Sequence, residues 1–187
     1  ERGVLEIKSL IVNRVVMRQY MIEKVVLAIK NVWPVEDVGQ TVFIQQDNAR
    51  THILPNDAEF AQAVVETGMD IKLVQQPPNS PDLNALDLGY FKSLESLTDC
   101  RAPTTIPELT QGVEEEFDDY EVGKLNRIFL TLQTCMVEVM NHAGGNAYKI
   151  PHVTKQRFER DGILLPRIHF PCEVYYNALE NLEQDEH

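Results

Sequence analysis

Apolar and polar positions alternate between two periods along this chain, and the switches between them predict its elements. The first residues hold only a short extended run, Val4 to Leu10. From about Asn13 to Val32 the apolar residues Val15, Ile22, Val25, Val26 and Ile29 recur at helical spacing. Trp33-Pro34 stops that helix, because the residue before proline is driven out of the helical region. Thr41 to Gln46 is β-rich and closes on Asp47. Asn56 with Glu59 three residues later forms a capping box, and the helix it opens ends at Gly68 as a C′ glycine. Asp70 to Gln75 is a second strand that runs into Pro77-Pro78. Helix, strand, helix, strand predicts a parallel pair joined by a crossover.

The second half is helical. Ser80 caps and Pro81 opens a helix whose apolar stripe is Leu83, Leu86, Tyr90, Leu94 and Leu97. Helices follow at about 107–119 and 122–141. The latter carries Leu125, Ile128, Phe129, Leu132, Met136 and Val139 on one face, and Gly144-Gly145 ends it. Beyond Pro151 the pattern weakens. The expected organisation is therefore residues 1–151 as one α/β domain and residues 152–187 as an acidic, loosely packed C-terminal extension.

Composition narrows the classes. With 187 residues, 43% hydrophobic and 25% charged, the chain can bury a core and is not disordered throughout. No apolar run is long enough for a membrane span. The N-terminal residues lack the apolar segment of a signal peptide, and the missing initiator Met points to a fragment, a processed chain or a trimmed gene model. Cys100, Cys135 and Cys172 are far apart without metal spacing, and are expected to be reduced intracellular thiols with Cys135 in the core. The formal net charge of -12 opposes DNA binding by this chain alone, since such affinity comes largely from Lys and Arg on phosphates.

Two carboxylates stand in unusual places. Asp47 closes a hydrophobic strand and begins Asp47-Asn48-Ala49-Arg50-Thr51-His52. Strand C-termini in open α/β sheets face ligand crevices, although a loop aspartate making an Asx-turn fits the same position. On a continuous helical wheel Asp87 falls among Leu83, Tyr90, Phe91 and Leu94, inside the apolar face, while Asp82 lies opposite and is solvated. A carboxylate so placed needs a cationic partner, either a metal or a structural salt bridge. Convergent carboxylates hold Mg²⁺ for phosphoryl chemistry, and two ions normally require a third acid. The run Glu114-Glu115-Glu116 with Asp118 and Asp119 reads as a solvated helix face, and His52 as a loop residue or an orienting group.

Gln46 to His52 resembles the second-aspartate motif of mariner-like DNA transposases, and Gln76-Pro77-Pro78-Asn79-Ser80-Pro81-Asp82-Leu83-Asn84 resembles the segment that leads to their third acidic residue. Asp87 stands at that residue's place, and the 39 residues between Asp47 and Asp87 match the plant-type subgroup of this family. Asn126 to Gln133 and Tyr148-Lys149-Ile150-Pro151-His152 are similar to it as well, so the likeness spans roughly residues 1–152. The resemblance implies an RNase H-like fold of the DDE superfamily, here partial, with the first three strands absent and a helical C-terminal half. It implies Asp47 and Asp87 as catalytic metal ligands, Mg²⁺ or Mn²⁺ as cofactor, transposon-end and target DNA as partners mainly of an upstream region, and a nuclear location. Homodimerisation is left open and no membrane is involved. No residue in 1–12 fits the family's first aspartate, Glu1 and Glu6 lacking its context, so the chain is expected to be inactive by itself. The rival expectations are a domesticated or degenerate transposon remnant that only contacts other proteins, and an acidic helical interaction module.

Overall fold

The computed structural model describes residues 8–151 and 167–185. It is a mixed α/β structure with a small parallel sheet, and it divides into two compact units, Glu1–Pro78 and Asn79–His187. Of the run expected at Val4 to Leu10, Val4 to Ile7 lie outside the described residues, and Lys8 to Leu10 form no strand.

In the first unit Asn13 opens the first helix, its side-chain oxygen accepting from the amides of Val15 and Val16 at 3.0 and 3.1 Å. The helix runs as α1 (Arg14–Tyr20), a wider π segment (Met21–Val26) and α2 (Leu27–Val32). The π segment changes which face is buried. Met21 and Val26, five residues apart, both enter the core, whereas Val15, expected in the apolar stripe, is exposed. Ile22, Val25 and Ile29 pack against the core as anticipated. Trp33 is extended before Pro34 and ends the helix.

Strands β1 (Val42–Gln46) and β2 (Ile71–Gln75) pair in parallel with Val42 opposite Ile71 and Gln46 opposite Gln75. Between them lies α3 (Ala58–Thr67), so the expected parallel crossover is present. Val42, Ile71 and Leu73 turn one face of the sheet into a core shared with Ile53, Phe60 and Val64. Gly68, at φ 74°, is the expected left-handed stop of α3. The cap of α3 is displaced by one residue from expectation. Asp57, not Asn56, accepts from the Phe60 amide, and Glu59 turns to Arg18 instead of closing a capping box.

In the second unit the helix expected from Ser80 is interrupted. Pro81–Leu83 makes a single 3₁₀ turn, Ser80 makes no side-chain capping bond, and Asn84 is extended. A wide turn at Leu86–Tyr90 then leads into α4 (Phe91–Asp99). Helix α5 (Ile106–Asp118) begins on a capping box that the sequence reading missed. Thr105 accepts from the Glu108 amide, and the Glu108 carboxylate accepts from the amides of Thr105 and Thr104. Those bonds, the Thr104 amide first, hold the Glu108 carboxyl below its usual value. Helix α6 (Val122–Asn141) buries Leu130 and Cys135, while Leu125, Phe129 and Met136 of the expected face stay partly exposed. Ala143 and Gly144 take left-handed backbone, and the Gly144 amide reaches back to the Val139 carbonyl at 2.8 Å, so this glycine ends the helix as expected.

The expected acidic C-terminal extension is largely helical where it is described, and none of its described residues is fully buried. Its described part forms α7 (Cys172–Asp185), which packs on α6 and half-buries Val174 and Ala178 at i, i+4 spacing. The Ile168 amide also donates to the Gln133 side chain at 2.7 Å. Residues 152–166 of the expected extension lie outside the described residues.

Candidate functional site

Asp47 directly follows the carboxyl end of β1, where the alternation of the strand gives way to polar residues. Its Oδ1 accepts from the Ala49 amide at 2.8 Å, which is the Asx-turn anticipated as the plain structural role. His52 Nδ1 also lies 2.8 Å from that oxygen and 3.0 Å from the Asp47 carbonyl. The side chain of Asp47 is 48% exposed, and Oδ2 has no partner among the described residues.

The loop carrying Asp47 is fastened from three directions within the first unit. Arg14 of α1 donates from Nε to the His52 carbonyl at 2.9 Å and from Nη2 to the Arg50 carbonyl at 3.1 Å. Asn48 Nδ2 donates to the Gln76 carbonyl at 2.9 Å, and the Gln76 amide donates to the Gln46 carbonyl at the same distance, which joins the loop to the end of β2. Gln46, buried at the end of β1, donates to the Ile53 carbonyl. The turn is therefore set by tertiary bonds, and the side chain of Asp47 stays half-exposed.

Asp87 departs from its expected surroundings. It is exposed, not enclosed by Leu83, Tyr90, Phe91 and Leu94, and its neighbour Leu86 is exposed too. The wheel that placed it inside an apolar face assumed an unbroken helix. The extended residue Asn84 and the non-helical backbone at Gly89 reset the phase on either side of it. Gly89 packs closely on α6, where an added Cβ would stand 3.4 Å from Ile128 Cγ1. No desolvation therefore demands a cation at Asp87. Its Oδ2 accepts from Asn84 Nδ2 at 2.9 Å, while Asn84 Oδ1 accepts from the Leu86 amide at 3.1 Å, so Asn84 fixes both the turn and the carboxylate.

Asp82, expected to be solvated, is half-buried and accepts from the Tyr148 hydroxyl. Asn146 Nδ2 donates to the Asn79 carbonyl at 3.0 Å beside it. Within the second unit these bonds join the segment that begins at Asn79 to the one around Tyr148. Sequence reading missed the pairing, because 66 residues separate the partners and only their membership of the quoted motifs marked them.

In the acidic run of α5, Glu115 and Glu116 grip the guanidinium of Arg101, with Glu116 at 2.6 Å from Nε, so the expected solvated face is neutralised in part. No group of three or more His, Cys, Asp or Glu residues gathers as for a metal ion among the described residues. Cys135 is buried as expected, and none of the three cysteines is in a disulfide. None of the described helices is long and apolar enough to cross a membrane. No protein-family model, curated protein or solved structure matches this chain.

Proposed function

We propose that this chain is the C-terminal part of the RNase H-like catalytic domain of a plant-type mariner-like DNA transposase. The parent enzyme would cut DNA with a divalent metal ion and join the freed 3′-hydroxyl to target DNA in the nucleus. The observation that carries the reading is the parallel β1–α3–β2 crossover with Asp47 immediately beyond the carboxyl end of β1, the edge at which open α/β sheets present their functional groups.

The donor set agrees in kind with Mg²⁺ or Mn²⁺, both of which take oxygen ligands. Asp47 offers an Oδ2 with no partner among the described residues, and Asp87 is exposed and held by Asn84. Its number falls short, since the described residues bring no third acid to either. When bound, such an ion stabilises charge on the attacking and leaving oxygens of an in-line displacement. The chain's own contribution is to orient the two carboxylates. His52 and the Ala49 amide fix one oxygen of Asp47, and Asn84 fixes one oxygen of Asp87. The net charge of -12 leaves the DNA-binding surface to another part of the parent protein.

Mn²⁺ titration of the chain, followed by paramagnetic broadening of its amide signals, tests the reading. Signals around Asp47 and those around Asp87 should each broaden, with Asp47→Asn relieving the first set and Asp87→Asn the second. Absence of broadening at both, or broadening that neither substitution relieves, would reject the two carboxylates as metal ligands.

A further inference from the structure

Between α4 and α5 of the second unit lies an apolar groove of about 240 Å³, lined by Phe91, Leu94, Thr98, Leu109 and Val113, with Glu95 and Asp99 along one side. Its apolar surface continues along α5. Ile106, Leu109, Val113 and Phe117 follow one another at steps of three or four residues and form a single stripe. Ile106 is 61% exposed and Phe117 60% exposed, and Phe91 across the groove is 55% exposed. Gly112 allows this shape. It is buried against Thr98 and Arg101, and a Cβ there would stand 3.4 Å from a side-chain carbon of each, so α5 lies close on α4 and the larger side chains rise on the groove walls.

The charge around the groove has one sign. From Phe91 to Asp118 there are seven carboxylates and two cations, Lys92 and Arg101. Both cations are already engaged, Lys92 with Glu95 at 2.7 Å and Arg101 with Glu115 and Glu116. Asp99, Glu114 and Asp118 remain exposed near the apolar stripe. A second copy of this chain, itself at -12, would be repelled, and so would DNA or an anionic lipid surface. We propose that the α4–α5 groove docks an amphipathic helix of a partner protein, one whose apolar ridge is flanked by Lys or Arg. A groove between two helices accepts a third helix through anchors at i, i+3, i+4 and i+7, and the acidic border selects a basic flank. The inference stands on this groove alone and does not depend on the transposase reading.

The test uses the full chain and labelled model peptides of about 18 residues, five helical turns. One carries Leu at i, i+3, i+4 and i+7 spacing with Lys elsewhere. A second keeps the Leu pattern with Glu in place of Lys, and a third keeps the composition of the first with the Leu positions scrambled. Fluorescence anisotropy should show binding of the first peptide alone. Leu109→Gln and Val113→Asn should each weaken it at least about tenfold, while Val122→Ser, at an exposed apolar position on α6, should leave it unchanged. Phe117→Ser and Asp99→Lys, both at exposed positions, give the same expected loss if a groove-wall variant fails to fold. Failure of every peptide to bind, equal binding of the scrambled or the Glu peptide, or affinity indifferent to the groove variants would overturn the proposal. Self-association of the chain that Val113→Asn abolishes would overturn it as well, by giving the groove to a second copy.

Discussion

Arg18 clamps Asp57 through both carboxylate oxygens, with Nε 3.0 Å from Oδ1 and 2.9 Å from Oδ2, and Nη2 2.8 Å from Oδ2. The same carboxylate caps α3 through the Phe60 amide at 3.1 Å, and its side chain is only 8% exposed. One residue thus joins the first helix of the unit to the helix between the strands. The hydrogen bonds from Arg18, and then that from Phe60, hold the Asp57 carboxyl below its usual value against the opposing effect of burial. Its stabilisation is therefore complete above the ordinary aspartate pKa of 3.8 and disappears as pH falls through the lowered folded value. Asp57→Ala should lose about 1 kcal/mol from the cap alone. Arg18→Ala should lower the urea midpoint at neutral pH, and the gap to the parent should close well below pH 3.8. A gap that is constant with pH would show that the pair contributes nothing through its charge.

Gly68 ends α3 at φ 74° with open space where a Cβ would stand. Gly68→Ala therefore meets backbone strain and no clash, and should cost about 1–2 kcal/mol. Thermal or urea unfolding measures this directly, and a neutral result would mean that the helix end relaxes out of the left-handed conformation.

The two faces of the sheet should respond differently to substitution. Phe43 is 63% exposed on one face, and Leu73 is buried on the other. Leu73→Ala removes packed atoms from the core and should destabilise by about 2–5 kcal/mol. Phe43→Thr replaces an exposed aromatic with another strand-favouring residue and should change stability by no more than about 0.5 kcal/mol. Equal losses in a chemical unfolding series would show that the Phe43 face is covered in solution.

The chain by itself should not cleave DNA. Two carboxylates make an incomplete cage for ions that dehydrate reluctantly. The net charge of -12 opposes a polyanion most strongly at low salt, where screening is weak. Purified chain incubated with Mg²⁺ or Mn²⁺ and end-labelled transposon-end DNA should leave the DNA intact. Cleavage abolished by both Asp47→Asn and Asp87→Asn would mean that the third ligand lies within these 187 residues.

Local chemistry makes much of the fold legible in the sequence. Trp33-Pro34, the β-rich runs that became β1 and β2, Gly68 and Gly144 all act within a few residues of themselves, and each falls where the pattern placed it. Asp47 could be placed at a strand end for the same reason, and its Asx-turn is a bond across two residues. Helical phase is a weaker guide, because a wheel carries its angle forward only while the helix is unbroken. The π segment that buries Met21 and Val26, and the breaks at Asn84 and Gly89 that expose Asp87, each shifted that angle. Tertiary structure decided these, together with the choice of Asp57 over Asn56 as cap, the bond between Asp82 and Tyr148, and the seating of α7 on α6. For Asp57, Asp82 and α7 the deciding partner lies far away in sequence, and which partner a side chain meets becomes fixed only when the elements pack.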